Sequence, residues 1–274
     1  MRPHELRFQF GKNWGRFLEV LDDERIAEAE RSLVEMLEVR DLRGRSFLDV
    51  GSGSGLFSLA AKRLGATRVH SFDFDPNSVA CTSELKRRFF AKDPNWTIEQ
   101  GSVLDKPYLT SLGTFDIVYS WGVLHHTGDM WCALRNAIDL VAPSGRLFIA
   151  LYNDQGSTSR RWLMIKRAYN HAPFPLKLGL VLGVQLYWEF RSLVGRILRI
   201  ENPLPFNAWR DKKRDRGMSV WHDCVDWVGG YPFEVAKPEE VFNLCRRHGF
   251  ALQRLRTAGG GHGNNQFVFA RDVA

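Results

Sequence analysis

The residues with the type and spacing to do chemistry cluster in a few short runs. One is Phe47-Leu-Asp49-Val-Gly51-Ser52-Gly53-Ser-Gly55, where glycines alternate behind an acidic residue. Glycine there lets the backbone take positive φ and brings amide groups to a ligand that a Cβ would shield. The acid ahead of the first glycine suits a ligand bearing an ammonium group better than a pyrophosphate. A second is Asp73, closing the run Val69-His-Ser-Phe72, where a carboxylate can accept both hydroxyls of a ribose. A third is Leu124-His125-His126-Thr-Gly-Asp129, whose imidazoles titrate near neutrality and can take a proton. A fourth, Trp221-His222-Asp223-Cys-Val-Asp226 running on to Tyr231, is aromatic and acidic, fit for substrate contacts or a base. His222, Asp223 and Asp226 invite a metal, but no water-ligand pattern accompanies them and none is expected.

These runs need a scaffold, and the flanking pattern supplies one. Ser46–Val50 reads as a strand entering the glycine turn, and Leu56, Leu59, Ala60 and Leu64 give the following helix one apolar face. Further strands are expected at Arg68–Phe72, Trp96–Gln100, Phe115–Ser120 and Gly145–Leu151, with helices over Pro76–Phe90 and residues 131–141. Ahead of them, Ile26, Ala29, Leu33, Met36 and Leu37 form a helical stripe within Asp22–Val39. Such alternation implies a doubly wound parallel sheet with right-handed crossovers, and ligands beyond the carboxyl ends of its strands. After the fifth strand the pattern breaks until helix Pro238–His248 and strands Phe250–Thr257 and Gln266–Ala270. The reading is therefore four segments. Residues 1–44 are an N-terminal helical and aromatic lid, in which Trp14 faces a ligand, with an aromatic staple to the flank as the plainer alternative. Residues 45–151 are the ligand-binding core, 152–236 a helical cap insertion on the substrate side, and 237–274 the helix and strand pair that complete the core.

The glycine spacing is not the G-x-G-x-x-G of dinucleotide binders, and no G-K-[ST] follows to hold a triphosphate. The turn, Asp73 and the strand order together resemble the class I S-adenosylmethionine-dependent methyltransferases. Leu124-His-His is similar to the subfamily that includes ubiquinone-biosynthesis O-methyltransferases. The resemblance covers roughly Arg45–Ala150, more weakly the C-terminus, and implies a Rossmann-like, seven-stranded, mostly parallel sheet with an antiparallel final strand. It implies S-adenosylmethionine as cofactor, held by Asp49, Gly51, Ser52, Gly53, Gly55 and Asp73, with Phe74 against adenine. The family's usual Gly-Asp after the third strand is Gly101-Ser102-Val103 here, so Ser102 or a backbone group takes that place. Ser120 and Trp121 match the strand end that lines the methionine moiety.

Methyl transfer from a sulfonium is an in-line displacement, in which holding the nucleophile at near-attack distance supplies roughly 7–11 kcal/mol. A hydroxyl acceptor also needs a base. The N/D-P-P-Y/F signature of amide- and adenine-methylating enzymes is absent, as is the Pro-Cys of cytosine-C5 enzymes. A hydroxyl, or an amine on a small molecule, remains; the expectation is a small-molecule or lipid-linked acceptor methylated at oxygen, with His125, His126 or His222 as catalytic base. Tyr152, Asp223, Tyr231 and His262, the last in a glycine-rich loop, are candidates to face the substrate.

Between Thr158 and Arg216 stand 13 Lys/Arg against 4 Asp/Glu, a local balance of +9 in a chain of net +7. That patch can attract an anionic substrate, rest on an acidic membrane through residues 176–200, or track RNA phosphates; equally, its arginines are the solvated side of the cap's own core. Nucleic acid is the least favoured, because no RNA-binding module is appended. An RNA-modifying methyltransferase and a non-catalytic cofactor-sensing partner are the alternative functions. Scattered Cys81, Cys132, Cys224 and Cys245, and an N-terminus without a signal-peptide core, lead us to expect a cytoplasmic location, with a peripheral membrane position open.

Overall fold

The structure, a computed structural model, describes residues 14, 18, 21–198, 220–259, 261 and 263–271. The chain divides into a sheet unit, residues 9–156 and 234–274, and a helical unit, residues 157–233 with 1–8.

In the sheet unit, α1 (Asp23–Leu37) starts at Asp22, whose side chain accepts from Arg25 N at 2.9 Å. Its buried residues are Ile26, Ala29, Leu33, Met36 and Leu37, the stripe read from the periodicity. There follow β1 (Ser46–Val50), α2 (Leu56–Arg63), β2 (Arg68–Asp73), α3 (Pro76–Phe89), β3 (Trp96–Gln100), α4 (Lys106–Leu112), β4 (Phe115–Trp121), α5 (Met130–Asp139) and β5 (Val141–Tyr152). The strands form one 7-stranded sheet in the order β3-β2-β1-β4-β5-β7-β6. β1 to β5 pair in parallel, while β7 (Asn264–Arg271) runs antiparallel to both β5 and β6 (Phe250–Arg256). This is the Rossmann-like class I arrangement expected. Alternation along β1 sends Leu48 and Val50 into a layer with α4, α5 and α9 (Pro238–Arg247), and Phe47 into a layer with α1, α2 and α3. From β1 the order departs to β2 on one side and β4 on the other, so a crevice opens beyond the carboxyl ends of β1 and β4.

Several expected bounds change. β5 begins at Val141 rather than Gly145, because Phe115 pairs with Val141 before a register shift carries the chain past Ser144, at φ 61°. β7 extends back to Asn264 because that residue pairs with Tyr152. Helix α4 was not anticipated: seven residues, capped by Asp105 and burying only Leu109 and Leu112, are too few for a periodic signal.

The helical unit contains α6 (Ser157–His171), α7 (Phe174–Leu198) and α8 (Val220–Gly229), each packed against the other two. Its core joins the indoles of Trp162, Trp188 and Trp227, with Phe233 beside Trp227. Lys166 is fully buried among them, its Nζ 4.6 Å from the Trp227 ring centre and 4.8 Å from that of Phe233. The ammonium donates to the Trp227 carbonyl and Asn170 Nδ2 to that of Gly229 at 2.8 Å, so both satisfy the carboxyl end of α8. Among the described residues, no helix is long and apolar enough to cross a membrane.

Replacing Lys166 by Ala removes a charged hydrogen bond and two cation–π contacts from a closed core. The helical unit should lose roughly 2–4 kcal/mol, read as an earlier unfolding transition in tryptophan fluorescence.

Candidate functional site

The turn after β1 is held in a conformation that ordinary residues resist. Gly51, Gly53 and Gly55 have φ of +78°, +55° and +81°. The amides of Gly51 and Ser52 both donate to the Phe72 carbonyl, at 2.9 and 3.1 Å, binding the turn to the end of β2. Space is as restrictive as dihedral: a Cβ on Gly51 would collide with the Val123 side chain, and one on Gly53 would lie 3.1 Å from the Trp14 indole. Ser52 Oγ meets Thr82 Oγ1 at 3.0 Å, fastening the turn to α3. The Trp14 indole thus lies against the glycine turn at Gly53.

Asp73 ties this turn to the next strand. Its Oδ2 accepts from Gly53 N and its Oδ1 from Asp75 N, each at 2.9 Å. Burial pushes its carboxyl up to about 6, while those amides pull the other way. Each oxygen keeps a lone pair for a further donor such as a ribose hydroxyl. Phe74, next in sequence, is exposed, and its carbonyl accepts from Gln100.

Asp49 sits underneath, 2% exposed. Its Oδ2 accepts from Ser58 Oγ at 2.5 Å, Ser58 meets Ser71 Oγ at 2.7 Å, and Trp96 Nε1 donates to Ser71 at 2.9 Å. Burial, with the Asp73 charge adding to it, raises the Asp49 carboxyl to about 7. A buried relay inside the α2–β2–β3 layer therefore occupies the oxygen that the sequence reading aimed at an ammonium group. Ser120 is likewise committed: fully buried, it donates to the Val50 carbonyl at 3.0 Å and locks β4 to β1. Val103 lies in the core with its carbonyl accepting from Asn136, while Ser102 Oγ accepts from Leu104 N at 3.2 Å at the exit of β3.

Across the crevice, β4 ends at Trp121, 41% exposed, and a single helical turn follows, Leu124–His126. His125 is fully buried; its Nδ1 accepts from Tyr152 N at 3.3 Å and its ring lies 3.9 Å from the Tyr152 ring. His126, half-buried, stands edge-on to both, at 4.5 and 5.4 Å. The structure brings His125, His126 and Tyr152 together, but they differ in access: His125 is fully buried, whereas His126 and Tyr152 are partly exposed.

Sequence reasoning missed Glu234. Its amide donates to the His125 carbonyl at 3.0 Å, and its carboxylate accepts from Gly128 N and Met130 N at 3.1 and 3.0 Å. It caps the start of α5 and pins the histidine turn, though burial raises its carboxyl. Nothing local marks it, because its partners are about a hundred residues away in sequence. Val123 and Thr82, which close on the glycine turn, were missed for the same reason.

Tyr231 belongs to the helical unit. The side chains of His222 and Asp223, and His262 altogether, lie outside the described residues. Among the described residues, no three His, Cys, Asp or Glu gather as a metal site.

Residues 21–178, more than half of the chain, match the family described as "Methyltransferase domain". The chain belongs to that family. This methyltransferase-domain protein is 47% identical over 55 residues to the ribosomal protein L11 methyltransferase of Methylococcus capsulatus, 20% of this chain and 19% of that protein. It is 30% identical over 115 residues to the ubiquinone biosynthesis O-methyltransferase of Rhizobium etli, 42% of this chain and 44% of that one. The matched stretch therefore spans less than half the length of these curated relatives. Among solved structures, magnesium protoporphyrin IX methyltransferase from Synechocystis PCC 6803 with bound SAH superposes with a TM-score of 0.53. That alignment covers 95% of both chains at 13% identity, a likeness of fold.

Gly51→Ala should cost about 2 kcal/mol through positive φ and the Val123 collision, seen as a lowered unfolding midpoint. Asp49 gives a pH signature. Its carboxyl ionises near 7 in the fold against 3.8 ordinarily, so the folded state holds a proton the unfolded chain has released. Stability then falls as pH rises from about 4 to about 7. Melting temperatures recorded across that range should fall less steeply in Asp49→Asn than in the wild type; Asp73 contributes a smaller fall of the same sign in both.

Proposed function

We propose that the protein binds S-adenosylmethionine across the turn after β1 and directs its methyl group to a hydroxyl of a small or lipid-linked acceptor. The observation that carries this reading is the Asp73 carboxylate joined to the Gly53 amide at the strand crossover point, where a ribose would meet carboxylate oxygens beside backbone N–H groups. The donor set fits a nucleoside without a pyrophosphate: the turn lacks a lysine, and an acid rather than a base lies beside it. Family membership supports it, as do relatives whose names are those of methyltransferases, one of them acting at oxygen.

Each residue then has a part. Asp73 accepts the ribose hydroxyls, exposed Phe74 covers the base, and the Ser102 region meets its amino edge. The glycine amides and Asp49, through the Ser58 relay, set the potential under the turn, and Trp14 closes over Gly53. When bound, the cofactor supplies an electrophilic methyl on a positively charged sulfur. His126 takes the proton of the acceptor hydroxyl, His125 and Tyr152 hold its ring, and Trp121 offers an exposed surface to the acceptor. His222 is kept as an alternative base, and Asp223 and Tyr231 of the insertion, with His262 of the C-terminal segment, as candidate acceptor contacts.

Acceptor choice is assigned to the insertion, residues 152–236. Its two connections to the sheet unit are bound to each other: Ala236 N donates to the Tyr152 carbonyl at 3.0 Å and Asp154 N to that of Ala236 at 3.1 Å. A cytoplasmic location suits the cysteines, none of which is joined in a disulfide.

Calorimetric titration with S-adenosylhomocysteine should show micromolar binding, weakened at least tenfold in Asp73→Ala. Affinity should fall about tenfold for each pH unit below the Asp73 carboxyl near 6, since the bonded form is the carboxylate. No binding by the wild type would sink the reading. With an acceptor in hand, His126→Gln should lower kcat by about 10²–10⁴ while leaving cofactor affinity intact, whereas His125→Gln should chiefly lower stability.

A further inference from the structure

The helical unit carries a surface that methyl transfer does not require. On α7, Leu178, Leu182, Leu186, Phe190, Leu193 and Ile197 are all exposed, between 36% and 68%. Their spacing of three and four residues sets them along one face of the helix. The buried residues of this 25-residue helix are only Val181 and Val184. A helix of a soluble bundle normally turns its apolar stripe inward; here most of the stripe stays outside, a patch of the kind that marks an interaction surface.

The surrounding charge is mostly positive. From Ser157 to Leu198 there are seven Lys/Arg and a single carboxylate, Glu189, whose Oε1 accepts from Gln185. Arg160, Arg161 and Arg167 are exposed on α6, and Arg191 is exposed on α7 beside the Tyr187 hydroxyl. An exposed apolar face in a unit rich in exposed cations matches a bilayer interface, where acyl chains take the one and anionic headgroups the other. Since no described helix is long and apolar enough to cross a membrane, the geometry is in-plane rather than spanning.

We propose that α7 docks in the plane of an anionic lipid surface, its Leu182, Leu186 and Phe190 entering the acyl boundary while the exposed arginines of α6 meet the headgroups. The proposal goes beyond the methyl-transfer reading and fails separately from it, because cofactor binding is measured without lipid.

The test is vesicle flotation of the full chain on neutral phosphatidylcholine and on phosphatidylcholine with about one third phosphatidylglycerol. Binding should be at least tenfold stronger on the anionic vesicles and should weaken with salt. Leu186→Ser with Phe190→Ser should weaken it at least tenfold, as should Arg160→Gln with Arg161→Gln and Arg167→Gln. Hydrogen exchange on the wild type, independent of how any variant folds, should show vesicle protection concentrated in residues 178–198. Equal or absent binding to the two vesicle types overturns the proposal. So does sedimentation showing a dimer that the Leu186→Ser/Phe190→Ser pair dissolves without any vesicle binding: Gly179 and Gly183, four residues apart with open space above them, would then seat a second copy.

Discussion

The site depends on one carboxylate that spans two strands' ends. Asp73 accepts from Gly53 in the turn after β1 and from Asp75 at the start of α3, so the glycine turn cannot relax without breaking a charge-assisted bond. The turn's left-handed backbone is set by Val123 on one flank and by α3, through Thr82, on another. Shape and charge at the crevice are therefore fixed before a ligand arrives, which reduces what binding must organise.

The opposite wall is fixed by a different device. Glu234 reaches back from the far end of the insertion to hold the amides that open α5 and the carbonyl of His125. His125 spends both its carbonyl and its Nδ1 on main-chain donors, Glu234 N and Tyr152 N. In the proposed reading a buried imidazole anchored this way positions its half-buried neighbour, and that neighbour is the base.

Local signals made much of this legible. The stripe Ile26, Ala29, Leu33, Met36 and Leu37 announced α1 because every member lies within one helix, and Asp49 to Gly55 announced the turn because its chemistry is contiguous. Asp73 could be placed because a strand's last residue necessarily reaches the ligand edge of a parallel sheet. What stayed hidden involves partners remote in sequence. Ser120 looked like a pocket residue, but its hydroxyl is used by Val50 seventy positions away. Asp49 Oδ2 is taken by Ser58, itself bonded to Ser71, partners that its own run does not reveal. The apolar run of α7 allowed either a cap's own core or an outward face, since periodicity tells which residues share a face and not which way that face turns.

The central claim is that Asp73 and the glycine turn hold a nucleoside. A crystal structure of the protein soaked with S-adenosylhomocysteine tests it most directly. The account predicts both ribose hydroxyls within hydrogen-bonding reach of the Asp73 carboxylate, the base beside Phe74 and the sulfur facing the His126 side of the crevice. A ligand seated elsewhere, or a ribose turned away from Asp73, would contradict it.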